Sequence, residues 1–115
     1  MGTGSLRGMP LLARMRAAGV AVWPFDDAGP ATVVEIYPRE MTGPVVKSSE
    51  AARRALVEAD ARIPAALVSD VVATEDAFDA ALSAVGMSER VTALAGLPAA
   101  APGTPEVLEG AIWRP

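Results

Sequence analysis

The sequence predicts an α/β fold in which two main strands are flanked by about four helices. The β-branched segment TVVEIY at 32–37 and the shorter VAVWPF at 20–25 predict the strands. Apolar residues at helical spacing, between Pro- and Gly-rich stretches, predict the helices. Because a two-stranded sheet is marginal alone, we expect part of a larger α/β sheet with a piece missing. The 115 residues are predicted to form a single domain, 1–115.

The N-terminal part is predicted to contain a loop, a helix and an edge strand. GTGSLRGM, at 2–9, is interpreted as a flexible loop and not as a phosphate cradle, because it lacks the G-x-G-x-x-G pattern and follows no strand. Pro10 suits the first turn of a helix, and Gly19 suits its end. Pro24 indicates that the strand at 20–25 lies at a sheet edge or ends there.

The rest of the chain is predicted to be mainly helical. Ser and Thr start helices because their side-chain oxygen accepts from a free backbone N–H, and Pro fits the first turn. Three further helices follow from these signals: Ser49 to about Ala61, Pro64 over 65–73, and Thr74 to about Ser88. A loop at 96–106 and a short extended segment within 107–115 complete the prediction, and Ile112 and Trp113 are expected to pack onto the domain.

Composition excludes several kinds of site. The chain has no Cys and no His, so disulfides, thiolate chemistry and Ser-His or Cys-His pairs are excluded and zinc is disfavoured. Any metal must then be a hard ion held by carboxylates. No apolar run approaches the roughly 20 residues of a membrane span, and N-terminal arginines argue against a secretory signal. We therefore expect a cytoplasmic protein without a membrane partner.

The segment TEDAFDAALSA, at 74–84, places three acids on one side of a predicted helix. Glu75 and Asp76 follow the cap Thr74, where the helix dipole favours negative charge. Asp79 lies in the second turn, where this benefit fades, and aspartate is a poor residue in a helix interior. Two interpretations of Asp79 stay open: a solvated surface side chain, which periodicity alone favours, or a ligand of a divalent cation.

Glu35 is the acid within the strand at 32–37. In a central strand its carboxylate would need a cation or a donor, whereas at an exposed edge it could pair with an arginine. It lies near the carboxyl end of the strand, where α/β sheets place their sites. Glu35 and Asp79, on separate elements, can together hold Mg²⁺ or Mn²⁺, and two such ions can promote phosphodiester hydrolysis.

Seven segments share their order and spacing with one protein family: GTGSLRGMPLL, VAVWPFD, VVEIYP, VVKSSEAARRAL, TEDAFDAALSA, LAGLP and EGAIWRP. In these segments the chain resembles a prokaryotic family of predicted nucleases with the RNase H-like fold, catalogued as a domain of unknown function. The resemblance implies a five-stranded mixed sheet and a bacterial, metal-dependent hydrolase acting on DNA or RNA. It also implies that Glu35 and Asp79 are its strand and helix carboxylates and that Asp76 assists them.

The chain also departs from this family. The family's opening β-hairpin and two of its aspartates are missing, and Asp26 and Asp27 match neither. The resemblance therefore implies a partial, truncated RNase H-like domain that is inactive or nearly so as this chain. Two other functions stay open: a non-enzymatic module that forms homo-oligomers through an exposed sheet edge, and a nucleic-acid binder that does not cleave.

Lys47 is a weaker candidate for contact with a phosphate. It precedes Ser48 and Ser49 at a predicted helix start, and helix starts can bind phosphate groups. Together with Lys47, Arg53 and Arg54 on the following helix can contact a nucleic-acid backbone. The alternative interpretation, which we favour here, is a helix cap followed by a solvated helix face. The net charge of −4 is mildly unfavourable for binding nucleic acid.

Overall fold

The structure, a computed structural model, describes residues 3–115, with side chains described from residue 8 onward. Within this range the fold is mixed α/β and about half helical. The helices are α1 (Thr3–Ala17), α2 (Arg39–Thr42), α3 (Glu50–Ala59), α4 (Val68–Val72), α5 (Glu75–Ser88), α6 (Val91–Ala95) and α7 (Glu106–Glu109). The strands are β1 (Ala21–Val22), β2 (Thr32–Val33), β3 (Glu35–Ile36) and β4 (Ile112–Trp113).

Two compact units make up the chain. Unit 1 contains the part up to Ile36 together with Val91–Trp113, and unit 2 contains Tyr37–Arg90 together with Arg114–Pro115. All strands of the described residues belong to unit 1, whereas α2, α3, α4 and α5 belong to unit 2. No helix in residues 3–115 is both long enough and apolar enough to cross a membrane.

The strands of unit 1 pair in parallel, β1 with β2 and β3 with β4. The prediction of one continuous strand at 32–37 is wrong. Two short strands, separated by Val34, pair with different neighbours. In the second pair Glu35 lies opposite Ile112. The extended segment predicted near the C-terminus is confirmed by β4. Trp113 is buried as predicted, whereas the predicted packing of Ile112 is wrong, because this residue is exposed.

The predicted loop at 2–9 is wrong for the residues that the structure describes, whereas Gly2 lies outside them. Helix α1 begins at Thr3 and continues through Pro10, which therefore lies inside the helix and not in its first turn. Proline removes one backbone donor and is expected to end or begin a helix, and here this preference is overridden. The predicted end is confirmed closely, since α1 stops at Ala17, just before Gly19.

Asp26 and Asp27 have structural roles in unit 1. Asp26 accepts hydrogen bonds from Arg16 Nε at 2.9 Å, from Arg16 Nη2 at 2.6 Å and from the Val22 backbone at 2.9 Å. The side-chain bond from Arg16, with the backbone bond from Val22, holds the pKa of Asp26 below its ordinary value. Asp27 accepts from the backbone of Ala99 at 2.7 Å. Asp26 therefore stabilises the turn that follows β1, and Asp27 joins two segments that are distant in sequence.

Unit 2 packs its helices around one hydrophobic core. The predicted caps are confirmed, because Ser49 accepts from the backbone of Ala52 at 3.2 Å and Thr74 from that of Ala77 at 3.0 Å. Helix α5 ends at Ser88, as predicted. The buried apolar residues of this core are Val57, Ile63, Val71, Val72, Phe78 and Leu82.

The shorter helices were harder to predict. The helix expected after Pro64 is confirmed as two joined pieces, a 3₁₀ turn at Ala65–Leu67 and then α4. Helices α2, α6 and α7 are not predicted, and each has only four or five residues. So short a segment shows no apolar periodicity, which is the main sequence signal of a helix.

Asp60 follows α3 and forms a small charged cluster in unit 2. Arg62 donates to it from Nη2 at 2.6 Å and from its own backbone at 3.0 Å, and Arg62 Nη1 also donates to Glu89 at 2.9 Å. The hydrogen bonds from Arg62 stabilise the ionised carboxyl. They lower the pKa of Asp60 to about 2.

We expect the Asp60 charge to stabilise unit 2 above about pH 4 and to lose this effect as the pH falls through about 2. The stabilisation falls at low pH because a lowered pKa means that the folded state binds the proton more weakly than the unfolded state does. Asp60→Asn keeps an oxygen for the Arg62 backbone but removes the charge. The loss in unfolding free energy should be about 1 kcal/mol or less at pH 6, since solvent screens such pairs.

Urea denaturation between pH 2 and pH 7 measures the difference between wild type and Asp60→Asn. The difference should shrink towards zero at the acid end of this range. Asp70→Asn, at an exposed aspartate of α4, is the control and should show no comparable trend. A difference for Asp60→Asn that stays constant with pH would contradict the role given to Asp60.

Candidate functional site

Asp79 forms an ion pair with Lys47. Lys47 Nζ lies 2.6 Å from Asp79 Oδ2, and the two side chains are 21% and 22% exposed. Lys47 is the only lysine of the chain, and it lies in the segment between α2 and α3. The pair explains how α5 tolerates an aspartate in its second turn, because a partly buried carboxylate is stabilised by a cation in contact with it. Asp79 is therefore not a freely solvated side chain.

The other carboxylate oxygen of Asp79 makes no hydrogen bond. Oδ1 is buried and has no partner among the described residues, and the same is true of Ser83 Oγ, one helical turn further along α5. Ser83 is only 3% exposed. An unsatisfied buried polar atom costs about 1–3 kcal/mol. A donor in contact with Asp79 Oδ1 would therefore be favourable.

Arg53 holds the backbone of Lys47 in place. Periodicity predicted that Arg53 faces solvent, and this prediction is wrong, because the residue is only 6% exposed. Arg53 Nε and Nη2 donate to the carbonyl oxygen of Val72 at 3.1 and 2.7 Å, and Nη1 donates to the carbonyl oxygen of Lys47. Val72 is the last residue of α4, where a helix leaves its carbonyl groups free.

The same contacts bear on the phosphate role predicted for Arg53. Its guanidinium donors are engaged with carbonyl groups inside unit 2, so contact with a phosphate would require breaking those bonds. Its neighbour Arg54 is nearer solvent, as predicted, and forms ion pairs with Glu50 and Glu58 along α3. Of the two arginines, only Arg54 has the exposure that a phosphate contact needs.

An open groove of about 510 Å³ lies on unit 2 beside the ion pair. Lys47 and Ser48 form part of its wall, together with Arg39 and with Glu75 from the first turn of α5. Arg39 also donates to the carbonyl oxygens at both ends of the loop segment 43–45. Lys47 thus belongs to the groove and to the ion pair, and the groove carries two cationic side chains and one carboxylate.

The remaining predicted acids are exposed. Asp76 lies in the first turn of α5, on unit 2, and Glu35 lies in β3, on unit 1. Glu35 is exposed, as the exposed-edge interpretation predicts. The arginine partner of that interpretation is not found, because Glu35 forms no ion pair among the residues with described side chains. Over residues 3–115, no three acidic side chains converge as a ligand set for a metal ion.

Comparison with protein-family models, with curated proteins and with solved structures finds no match for this chain. The resemblance to predicted RNase H-like nucleases therefore stays a prediction from the sequence segments. The geometry from which a function can be argued is the pair of Lys47 and Asp79 in unit 2, with the adjoining groove and the unsatisfied atoms of Asp79 and Ser83.

Proposed function

We propose that this chain serves metal-dependent hydrolysis of phosphodiester bonds in DNA or RNA, in a nuclease of the RNase H-like type. The observation that carries the proposal is the buried Oδ1 of Asp79, which has no hydrogen-bond partner among the described residues. Carboxylate oxygens are the ligands that Mg²⁺ and Mn²⁺ prefer. The resemblance assigns the second carboxylate to Glu35 and an assisting role to Asp76.

Asp79 offers a hard divalent cation a single carboxylate, because no three acidic side chains converge among the described residues. A bound Mg²⁺ or Mn²⁺ supplies an activated water molecule and stabilisation of the leaving oxygen. The protein side chains supply the rest: Asp79 provides negative charge held at a fixed position on α5, and the groove beside it can receive a phosphate group. Lys47 lines this groove, and its ammonium group would contact a phosphate oxygen only if its ion pair with Asp79 opened.

Manganese binding tests this proposal. Added Mn²⁺ should broaden the amide NMR signals around Asp79 in a ¹⁵N-labelled sample before it broadens those near other acids, because the ion is paramagnetic. Asp79→Asn should remove this broadening. Asp70→Asn is the matched control, since Asp70 is an exposed aspartate of α4 in the same unit. Broadening around residue 79 that persists in Asp79→Asn would overturn the proposal.

Cleavage of labelled DNA and RNA by the 115-residue chain provides a second measurement. We expect little or no product with Mg²⁺ or Mn²⁺, because the described residues bring no three acids together. Any activity that does occur should disappear in Asp79→Asn and in Glu35→Gln and persist in Asp70→Asn. Equal cleavage by wild type and by both acid variants would contradict the roles given to Asp79 and Glu35.

A further inference from the structure

We propose that unit 1 carries a docking surface for a second copy of this chain. One half of the surface is the α7 patch, which consists of the four residues Glu106–Glu109. The other half is the exposed surface of α1. In the dimer, α1 of each copy lies on the α7 patch of the other copy. This contact involves neither Asp79 nor the groove of unit 2, so it is independent of the proposed function.

The α7 patch exposes apolar side chains. Leu108 is 88% exposed, and its neighbour Val107 is exposed as well. Both line an open groove of about 490 Å³ together with Glu109. Ile112 follows α7 closely in the chain and adds another exposed apolar side chain. A single exposed leucine is common on protein surfaces, but apolar neighbours that share one concave surface are typical of an interaction site.

The α7 patch also carries uncompensated negative charge. Glu106 and Glu109 are the first and last residues of α7. Neither forms an ion pair among the residues with described side chains. Glu35 is exposed and lies opposite Ile112, so it adds a carboxylate on the same face of that strand pair. A partner for this surface should therefore combine apolar groups with positive charge.

Helix α1 has this complementary chemistry. The acids of unit 1 all lie outside α1, whereas its three basic residues all lie within it: Arg7, Arg14 and Arg16. Arg16 pairs with Asp26, but Arg14 is exposed and forms no ion pair among the residues with described side chains. Met9 and Leu11 are exposed apolar residues of the same helix.

Charge selects the crossed arrangement in which α1 meets α7. Contact of α7 with α7, or of α1 with α1, would bring like charges together, which disfavours such pairs. Within one chain the two halves do not cover each other, because Leu11 and Leu108 both stay exposed. A two-fold axis between two copies repeats the α1–α7 contact, so two equal contacts close the dimer. Because each contact is small, we expect a dissociation constant on the order of 10 µM.

Sedimentation velocity over a range of protein concentrations tests the apolar part of the contact. Wild type should pass from monomer to dimer as the concentration rises. Leu108→Ser should raise the dissociation constant about tenfold, because the partner no longer covers an apolar side chain. Leu67→Ser, at an exposed leucine of unit 2, is the matched control and should leave the constant unchanged. Far-UV circular dichroism checks that each variant is folded.

Charge exchange between two variants tests the crossed arrangement. Arg14→Glu and Glu109→Arg should each raise the dissociation constant about tenfold, because both contacts of each dimer then bring like charges together. An equal mixture of the two should form a mixed dimer with nearly wild-type affinity. One of its contacts has the opposite charges reversed, and the other has the wild-type residues. Native mass spectrometry distinguishes the mixed dimer by its mass.

Arg90→Glu is the control for the change of charge, since Arg90 is an exposed arginine of unit 2, and it should dimerise as wild type does. A wild-type chain that stays monomeric at every concentration would overturn the proposal. Dimerisation that Leu108→Ser, Arg14→Glu and Glu109→Arg all leave unchanged would also overturn it, because the copies then pair through another surface, such as a sheet edge. A mixture that dimerises no better than either charge variant alone would contradict the crossed arrangement.

Discussion

Phe78→Ala is expected to lower the free energy of unfolding by about 3–5 kcal/mol. Phe78 is 0% exposed and belongs to the hydrophobic core of unit 2. Truncation removes buried apolar area and leaves a cavity that the neighbouring side chains can fill only in part. Since domains of this size are stable by only about 5–15 kcal/mol, the loss is a large part of the total.

The control for this prediction is Phe25→Ala, because Phe25 is an exposed phenylalanine of unit 1. The same atoms are removed, but less buried area is lost because Phe25 is 42% exposed, so the expected change is smaller, about 1 kcal/mol. Urea denaturation followed by circular dichroism at 222 nm measures both variants. A loss for Phe78→Ala no larger than that for Phe25→Ala would show that Phe78 does not hold the core together.

The helices that carry the core could be predicted because their signals are local. Ser49 and Thr74 each cap a helix by accepting from a backbone N–H three residues later, so the pattern and the contact lie within one turn. The apolar arc of α5 contains Phe78 and Leu82, which are both buried. Such features need no knowledge of the rest of the chain.

The strands and the buried arginine could not be predicted in the same way. Whether the segment at 32–37 forms one strand or two depends on its partners, and β4 is far along the chain. Arg53 is buried because the carbonyl of Val72 meets it from another helix. Periodicity assigns a charged residue to the surface and has no knowledge of such a partner.

The sequence predicts one residue of the candidate site, Asp79, but not its partner. A second-turn aspartate has little local stabilisation, which predicts a partner for Asp79, and the structure shows that this residue is paired. Its partner is Lys47, 32 residues earlier in sequence, which no periodicity connects to α5. Helical periodicity distinguishes a solvated aspartate from a candidate metal ligand, but it does not predict a side-chain ammonium group as the partner of the carboxylate.

Arg53→Met is expected to lower the free energy of unfolding by about 2–4 kcal/mol. Methionine can fill much of the space of the arginine stem, so the effect comes mainly from polar groups. The carbonyl oxygens of Val72 and Lys47 would lose the donors that they have in the wild type. Replacing a buried charge by an apolar residue can be neutral when its partners are replaced too, but here both carbonyls belong to the backbone and remain.

Arg54→Met separates this effect from the general loss of an arginine in α3. Arg54 forms exposed ion pairs with Glu50 and Glu58, and such pairs contribute about 0.3–0.5 kcal/mol each. Urea denaturation compares the two variants. Acetylation of Lys47 adds a readout that a general loss of stability would not give, measured where both proteins are fully folded. Faster acetylation in Arg53→Met alone would show that Arg53 holds Lys47 against Asp79, whereas equal stability and equal acetylation in the two variants would contradict this role.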